Sequence, residues 1–315
     1  MIISASYKTD IPAFYGPWFM RRLHAGYCKM VNPYGRQIYA IPLTPDAVDG
    51  FIFWTKNIGP FLASLSEIRR LGYPFLVQYT ITGYPRELEE RVLDAARTVA
   101  SLRALADTYG PSVPVWRYDP ILITSLTPPN WHRRNFASLA RSLQGATDEV
   151  VVSFAQVYKK ARRNLNEAAH TSGFSWHEHE VTQPEAARKL VADLAGIAAA
   201  HGMRLTICSQ NMLHTPGITQ EARCVDAERL ERVSGRALLG RIKLRGNRAE
   251  CGCYASRDIG EYDTCPHGCV YCYAVLNRNL ALARYKAHDP EGEFLFPPRL
   301  LKNEPVRQLP LVESR

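Results

Sequence analysis

The chain has 315 residues, of which 46% are hydrophobic, so it is long enough for one large globular domain or two ordinary ones. It contains no apolar run near the ~18 residues that a membrane-spanning helix needs, and its first residues lack the basic lead of a signal peptide. The net charge of +9 permits a nucleic-acid substrate without requiring one. We therefore expect a cytoplasmic protein, with no membrane partner, that acts on a small molecule or a nucleic acid.

Short apolar segments bounded by turn residues predict six β-strands. In chain order they are Ile2–Ser6, Val48–Trp54, Pro74–Thr82, Val113–Pro120, Glu149–Phe154 (reaching on to Tyr158 and Lys159) and Met203–Cys208. Segments with helical periodicity alternate with them: Phe14–Gly26 after a start at Asp10, Phe61–Leu71, Leu88–Tyr109, Trp131–Leu143 and Pro184–Gly202. This alternation predicts an α/β fold, either a parallel barrel or part-barrel covered by helices or a doubly wound open sheet.

The first predicted strand is not followed by a Gly-rich phosphate loop, which argues against a Rossmann-type nucleotide site. The strongest chemical signal lies instead near the C-terminal end, where Cys265, Cys269 and Cys272 follow the spacing C-x3-C-x2-C. Three thiolates in one Gly- and Pro-containing loop can hold three irons of a [4Fe–4S] cluster and leave the fourth iron open to a small molecule. Zinc more often takes four ligands in paired spacings, so this triplet is less natural for zinc.

The triplet also carries an aromatic residue, Tyr271, directly before its third cysteine, and it thereby resembles the motif of the radical S-adenosylmethionine (SAM) enzymes. In that superfamily the open iron is chelated by the amino and carboxylate groups of SAM, which is cleaved reductively to a 5′-deoxyadenosyl radical. The resemblance implies a [4Fe–4S] cluster, SAM, and a reductant such as flavodoxin or ferredoxin. It also implies a (β/α)6 partial TIM barrel, in agreement with the six predicted strands.

Several longer stretches match the pattern of one family: Met1–Ser6, Thr9–Tyr15, Phe53–Asn57, Trp116–Ile121, Cys251–Cys253 and Asp258–Ala274. Together they resemble the bacterial domain-of-unknown-function 1848 family, from residue 1 to about residue 280. The resemblance implies a radical-SAM-like cysteine cluster placed at the C-terminal end of the chain. It does not supply a substrate.

Polar side chains stand where the predicted strands end, which is where α/β barrels carry their catalytic groups. The expected cofactor-binding residues are Arg117, Lys56, Asn57, Thr80 and Ser153. Arg117 or Lys56 would pair with the carboxylate of SAM or with an acidic substrate. The alternative is that these are ordinary polar loop residues.

Three further strand-end residues are expected to be catalytic. Asp119 would orient Arg117 or accept a hydrogen bond from a ribose hydroxyl, and Tyr158 would donate a hydrogen atom or a proton. Lys159 lies beside Tyr158 and is included for its charge.

A second group of thiols is formed by Cys208, Cys224, Cys251 and Cys253. These four are expected to make a closed set that holds a second [4Fe–4S] cluster or a structural zinc. The alternative is that the first two are core residues and the other two are redox-active or unused. Cys28 is best interpreted as a buried thiol.

These observations predict a barrel-like core over residues 1–230, a cysteine-cluster segment over 231–290 packed on the barrel mouth, and a tail over 291–315. The predicted function is reductive cleavage of SAM to a radical that acts on an unidentified substrate. Two alternatives stay open, a SAM-independent iron–sulfur protein for electron transfer or sensing, and a zinc-stabilised nucleic-acid-binding protein.

Overall fold

The central feature of the computed structural model, which describes residues 1–31, 37–178, 183–246, 250–298 and 306–308, is a sheet of eight strands. The strands in chain order are β1 Ile2–Ala5, β2 Tyr27–Val31, β3 Ile38–Pro42, β4 Gly50–Thr55, β5 Phe75–Thr80, β6 Pro114–Ile121, β7 Glu149–Phe154, β8 Arg204–Ile207, β9 Gln220–Glu221, β10 Ser256–Asp258 and β11 Val306–Gln308. The sheet order is β10-β1-β4-β5-β6-β7-β8-β9, and all of these neighbours are parallel. Within the described ranges β9 and β10 do not pair, so the sheet is open rather than closed into a barrel.

The six predicted strands are all present, and they are the six central strands of the sheet. From β1 to β9 the order of strands in the sheet follows their order in the chain, except that β2 and β3 form a separate sheet with β11. A doubly wound sheet would reverse its order at a switch point between two halves. The α/β fold class is therefore confirmed, with successive strands laid side by side in one direction.

Nine α-helices lie in the described residues, and most of them cover one face of the sheet. They are α1 Ile11–Phe14, α2 Gly16–Ala25, α3 Leu62–Arg70, α4 Ala95–Tyr109, α5 Pro129–Leu143, α6 Lys159–Ser172, α7 Pro184–Ala200, α8 Ala227–Ser234 and α9 Arg278–Lys286. Asp10 caps α1 by accepting a hydrogen bond from the Ala13 amide at 2.9 Å, as predicted. Gly26 ends α2 with φ at 77°, a left-handed conformation that favours glycine. None of the described helices is long and apolar enough to cross a membrane.

Two boundary predictions are wrong. The helix predicted from Leu88 starts at Ala95, because Asp94 caps it through the Arg97 amide and the residues before it pair elsewhere. The Leu88 carbonyl accepts from the Val270 amide at 3.1 Å, so this stretch is held by the cysteine loop and not by helical hydrogen bonds. The fifth strand ends at Phe154, and α6 begins at Lys159. The β2–β3 hairpin was not predicted.

The two faces of the sheet differ in chemistry, because side chains alternate along each strand. On the helix-covered face, Phe53, Val77 and Trp116 belong to one large buried apolar cluster. On the opposite face, which we call the inner face, Gln78 of β5 and Arg117 of β6 are buried. The inner face is thus polar in its middle, where an apolar core would need no charge.

The base of the inner face is covered by the C-terminal part of the chain. Leu230 of α8 packs with Ile2, Ile52 and Leu76 from three adjacent strands. A Cβ on Gly50 would lie 2.5 Å from Leu230 Cδ2 and 3.0 Å from the Pro74 carbonyl oxygen, so the glycine allows this close approach. Burial of each such aliphatic side chain contributes about 1.5–3 kcal/mol to stability.

The segment after α9 lies along α2 and β2. Trp18 Nε1 donates to the Gly292 carbonyl at 2.9 Å, and the Lys29 amide donates to the Glu293 carbonyl at 2.8 Å. β11 pairs in parallel with β3. Of the predicted tail 291–315, residues 299–305 and 309–315 lie outside the described residues.

Candidate metal centre

The loop that carries Cys265, Cys269 and Cys272 packs against residues that follow three parallel strands. Cys269 forms a backbone bridge with Glu89, which lies in the connection after β5. Asp10 and Lys56 come after β1 and β4 and contact the same loop directly or through Glu89. Because parallel strands end at one edge of a sheet, this loop lies over the edge where α/β proteins place their sites.

Asp10 connects the loop to the first two strands of the core. Its Oδ2 accepts from His267 Nε2 at 2.8 Å and from the Lys56 amide at 2.7 Å, while its Oδ1 caps α1. Both Asp10 and His267 are buried. His267 Nδ1 is also buried and has no hydrogen-bond partner among the described residues.

Glu89 is the second anchor, and its side chain is 3% exposed. Its Oε1 accepts from Lys56 Nζ and from Thr82 Oγ1, each at 2.7 Å, and it also accepts from the Tyr271 hydroxyl. Burial alone would raise the pKa of Glu89, but Lys56 and the two hydroxyl donors outweigh it and lower that pKa. Burial would likewise lower the pKa of Lys56, yet Glu89 and Cys269 raise it. The pair is therefore charged.

The three thiols of the loop lie close together, with Cys269 buried and Cys265 and Cys272 half-buried. Burial raises the pKa of Cys265 well above its usual range, and Asp10, Cys272 and Cys269 raise it further. Burial also raises the pKa of Cys269 and of Cys272, although Lys56 opposes this for both thiols. Three thiolates in this setting need added positive charge, which a bound metal centre supplies. The donor set therefore fits a thiolate-ligated metal centre.

Arg117 lies next to this edge, on the inner face, and is 5% exposed. Its guanidinium contacts the Asp119 carboxylate, which also accepts from the Ser153 hydroxyl. It donates to Gln78 Oε1 at 3.2 Å, and its Cζ lies 5.0 Å from the ring centre of Trp54. Arg117, Asp119 and Ser153 are thus one connected group, and the role of Asp119 in orienting Arg117 for a ligand stays a prediction.

Thr80 pairs in register with Arg117 across β5 and β6. It lines a cavity of about 220 Å³ that opens between the end of β5 and the start of α4. Thr82, Tyr84 and Glu89 line the same cavity. Of the five expected cofactor-binding residues, the structure therefore brings Lys56, Thr80, Arg117 and Ser153 to one region.

The other predicted site residues lie elsewhere. Asn57 Oδ1 accepts from the Gly59 amide at 3.1 Å and forms a turn after β4. Tyr158 is 49% exposed and its hydroxyl donates to Gln156 at 3.1 Å, and Lys159 is exposed as the first residue of α6. Because β7 ends at Phe154, the last two do not stand at a strand end, and their catalytic role stays a prediction.

Sequence reasoning missed the two carboxylates that anchor the loop. Asp10 lies within the family-like stretch Thr9–Tyr15. It was considered only as the start of the first helix, so its contact with His267 was not expected. Glu89 was assigned to a helix, so its side chain was not considered. His267, which lies between Cys265 and Cys269, could have indicated that the loop has a carboxylate partner.

The second thiol group lies on the inner face. Cys208 Sγ and Cys224 Sγ are 3.6 Å apart. Cys253 interacts through its side chain with Cys224 and with Cys251, so the four thiols form a continuous chain of contacts. All eight cysteines lie in the described part of the chain, and all are free thiols. As they stand, no three His, Cys, Asp or Glu side chains among the described residues are arranged to hold one metal ion.

The fold and this edge define an α/β protein with an open parallel sheet and a C-terminal cysteine loop packed on the residues that follow its strands. The family described as "Domain of unknown function (DUF1848)" matches residues 2–274. The chain belongs to this family, which confirms the family prediction. Comparison with curated proteins and with solved structures finds no match.

Proposed function

We propose that this protein is a radical-SAM-like iron–sulfur enzyme. The observation that carries the proposal is the position of Cys265, Cys269 and Cys272, which lie close together against the residues that follow β1, β4 and β5. In a [4Fe–4S] cluster each thiolate binds a different iron, so the ligands need not converge on one point. The open order of six successive parallel strands fits a (β/α)6 part-barrel.

When bound, a [4Fe–4S] cluster with SAM on its open iron supplies a 5′-deoxyadenosyl radical. The chain's own residues hold the loop and set its charge. Asp10 and Glu89 fix the loop through His267 and Tyr271. Burial raises the pKa of Cys269, and the Lys56 ammonium opposes this rise, which favours the thiolate that a metal binds.

The connected group Arg117, Asp119 and Ser153 provides the polar surface on which SAM or the substrate would be oriented. A buried guanidinium is suited to a carboxylate because it offers several N–H donors in fixed directions. Asp119 and Gln78 already hold this guanidinium in place. The substrate, a small molecule or a nucleic acid, would reach this surface from the strand ends, and a flavodoxin or ferredoxin would supply the electron.

The test is anaerobic reconstitution with iron and sulfide, followed by EPR of the dithionite-reduced protein with and without SAM. We expect a [4Fe–4S]⁺ signal that shifts when SAM is added, because SAM would bind the open iron. A cluster signal that SAM leaves unchanged would contradict the proposal in favour of electron transfer or sensing. Zinc without iron would contradict it in favour of a structural site.

A matched pair of variants assigns the signal. Replacing Cys265, Cys269 and Cys272 by Ala should remove the SAM-responsive signal. Cys28→Ala makes the same chemical change at a buried thiol of β2 outside the loop, and it should keep that signal. If the triple variant retains the SAM-responsive signal, the proposed ligands are wrong.

A further inference from the structure

We infer that Cys208, Cys224, Cys251 and Cys253 form a second site, a closed four-thiolate site for one thiophilic metal centre that fastens the two edges of the open sheet to each other. The centre is either a zinc ion or an iron–sulfur cluster with all its irons ligated, because both take four thiolates. This inference does not depend on the proposed function, since it uses none of the cysteines of the loop.

The sulfur contacts are the first evidence. Two thiolates on a tetrahedral zinc at ~2.3 Å stand about 3.8 Å apart. The Sγ atoms of Cys208 and Cys224 already lie 3.6 Å apart. Cys253 lies beside Cys224, and Cys251 lies beside Cys253. A metal on these thiols would draw Cys251 and Cys253 in around the Cys208–Cys224 pair.

The groups around the sulfurs are the second evidence. Arg117 Nη1 donates to Cys224 Sγ at 2.9 Å, although the arginine is almost fully buried. The Val225 amide donates to Cys253 Sγ at 3.4 Å. Four thiolates on a divalent centre leave net negative charge, and a buried cation with N–H donors aimed at the sulfurs offsets it.

Ordinary core packing explains these features less well. A buried cysteine usually acts as a small apolar side chain, and neighbours such as Val225 and Leu230 would fit that role. An apolar role does not require a guanidinium directed at the sulfur. An apolar role also gives no reason for four thiols from three separate segments to lie next to one another.

The position of the site gives it a structural role. Cys208 directly follows β8, and Cys224 follows β9 at one edge of the sheet. Cys253 precedes β10, which pairs with β1 at the opposite edge, where Ser256 is opposite Ile2. The Tyr254 amide donates to the Val225 carbonyl at 3.0 Å, so the two segments already meet over the inner face. A metal on these thiols joins both edges across the gap between them.

The test uses a protein in which the loop cysteines 265, 269 and 272 are replaced by Ala, so that bound metal reports on the second site. After anaerobic purification and reconstitution, zinc and iron are counted by mass spectrometry. We expect about one zinc or about four irons per chain. The two counts distinguish the two kinds of centre, and a cluster also gives a visible absorption band.

Further substitutions in this protein, made in addition to the three loop replacements, locate the metal. Cys224→Ala with Cys253→Ala should abolish binding, whereas Cys28→Ala should leave the count unchanged. The inference is overturned if the background protein binds no metal, if the count survives loss of Cys224 and Cys253, or if Cys208 and Cys224 are found joined in a disulfide after anaerobic purification.

A measurement on the unaltered chain keeps the inference testable if these variants do not fold. Removal of metal by a chelator should lower the melting temperature, and restoring the metal should recover it, because the centre joins the sheet edges. An unchanged melting temperature after verified metal loss would overturn the structural role. The SAM-dependent EPR shift is read separately, so either proposal can fail while the other holds.

Discussion

At the scale of single residues, the anchoring of the cysteine loop depends on buried charge. Glu89 and Lys56 are held in a setting where burial opposes the charged form of each, and they remain charged because each stabilises the other. A buried pair of this kind is weak evidence for stability as a whole, but removing one partner leaves the other unpaired at a large cost.

Glu89→Gln keeps the shape of the side chain and removes the counter-charge of Lys56. We expect the free energy of unfolding to fall by about 3–5 kcal/mol, measured by urea denaturation, because the ammonium is left buried without a partner. Glu67→Gln on α3 is the control, since its partners His24 and Arg70 are largely exposed and its loss should cost less than about 1 kcal/mol. Equal losses for the two variants would refute this account of the pair.

Sequence reasoning found the loop thiols through their spacing and missed their partners for a physical reason. Spacing is local, whereas Asp10 and His267 are separated by 257 positions, and Glu89 and Tyr271 by 182. Contacts over such separations are set by how strands are ordered in the sheet, which periodicity does not specify. The polar sequence around Glu89 therefore did not indicate that this carboxylate is buried next to the cysteine loop.

At the scale of elements, strands were predicted better than their connections. Each core strand is a short apolar run whose side chains are buried on at least one face, so composition alone indicates it. The stretch from Leu88 to Asp94 has the composition of a helix, but its backbone pairs with the cysteine loop. The hairpin strand Tyr27–Val31 is mostly half-buried and carries a lysine, so its pattern was too weak to recognise.

The segment after α9 gives a prediction about pH. His288 Nδ1 donates to the Leu295 carbonyl at 2.8 Å, while its Nε2 is buried and finds no hydrogen-bond partner in the part of the chain that the structure describes. Burial lowers the pKa of His288, although the contact with Leu295 opposes this. A proton on Nε2 would be a buried donor without an acceptor, so the folded state favours the neutral ring.

The direction in which stability changes with pH follows from this lowered pKa. Below the usual pKa of ~6.5 the unfolded chain takes up a proton that the folded chain does not, so stability falls as the pH drops below that value. His288→Gln should flatten this fall, seen as a smaller difference in melting temperature between pH 7.5 and pH 5. His170→Gln, at an exposed position of α6, is the control and should not flatten it. Parallel curves for all three proteins would contradict the assignment.

At the scale of the whole molecule, the C-terminal part of the chain completes the core. Arg229 of α8 is 1% exposed and donates to Glu149 Oε2 at 2.8 Å and to the Ser112 carbonyl at 2.7 Å. It also contacts Asp148. One side chain thereby ties α8 to the start of β7 and to the connection before β6.

Arg229→Met tests this connection. It keeps much of the aliphatic length but leaves Glu149 without its most buried partner, so we expect the free energy of unfolding to fall by about 3–5 kcal/mol in urea denaturation. Arg232→Met changes an exposed arginine of the same helix and should alter stability by less than about 0.5 kcal/mol. If the two variants behave alike, α8 is attached through its apolar side chains alone.

The pairing of β10 with β1 has a consequence for how the protein is made. Ser256 leaves the ribosome 254 residues after its partner Ile2. Chains begin to fold from the N-terminal side during synthesis, so the strands and their covering helices emerge before any loop cysteine does. The thiols then reach a surface that has already formed, so loading of the proposed metal centres would be a late step of maturation. A ribosome that stops early would release a chain with most of its sheet and none of the loop cysteines.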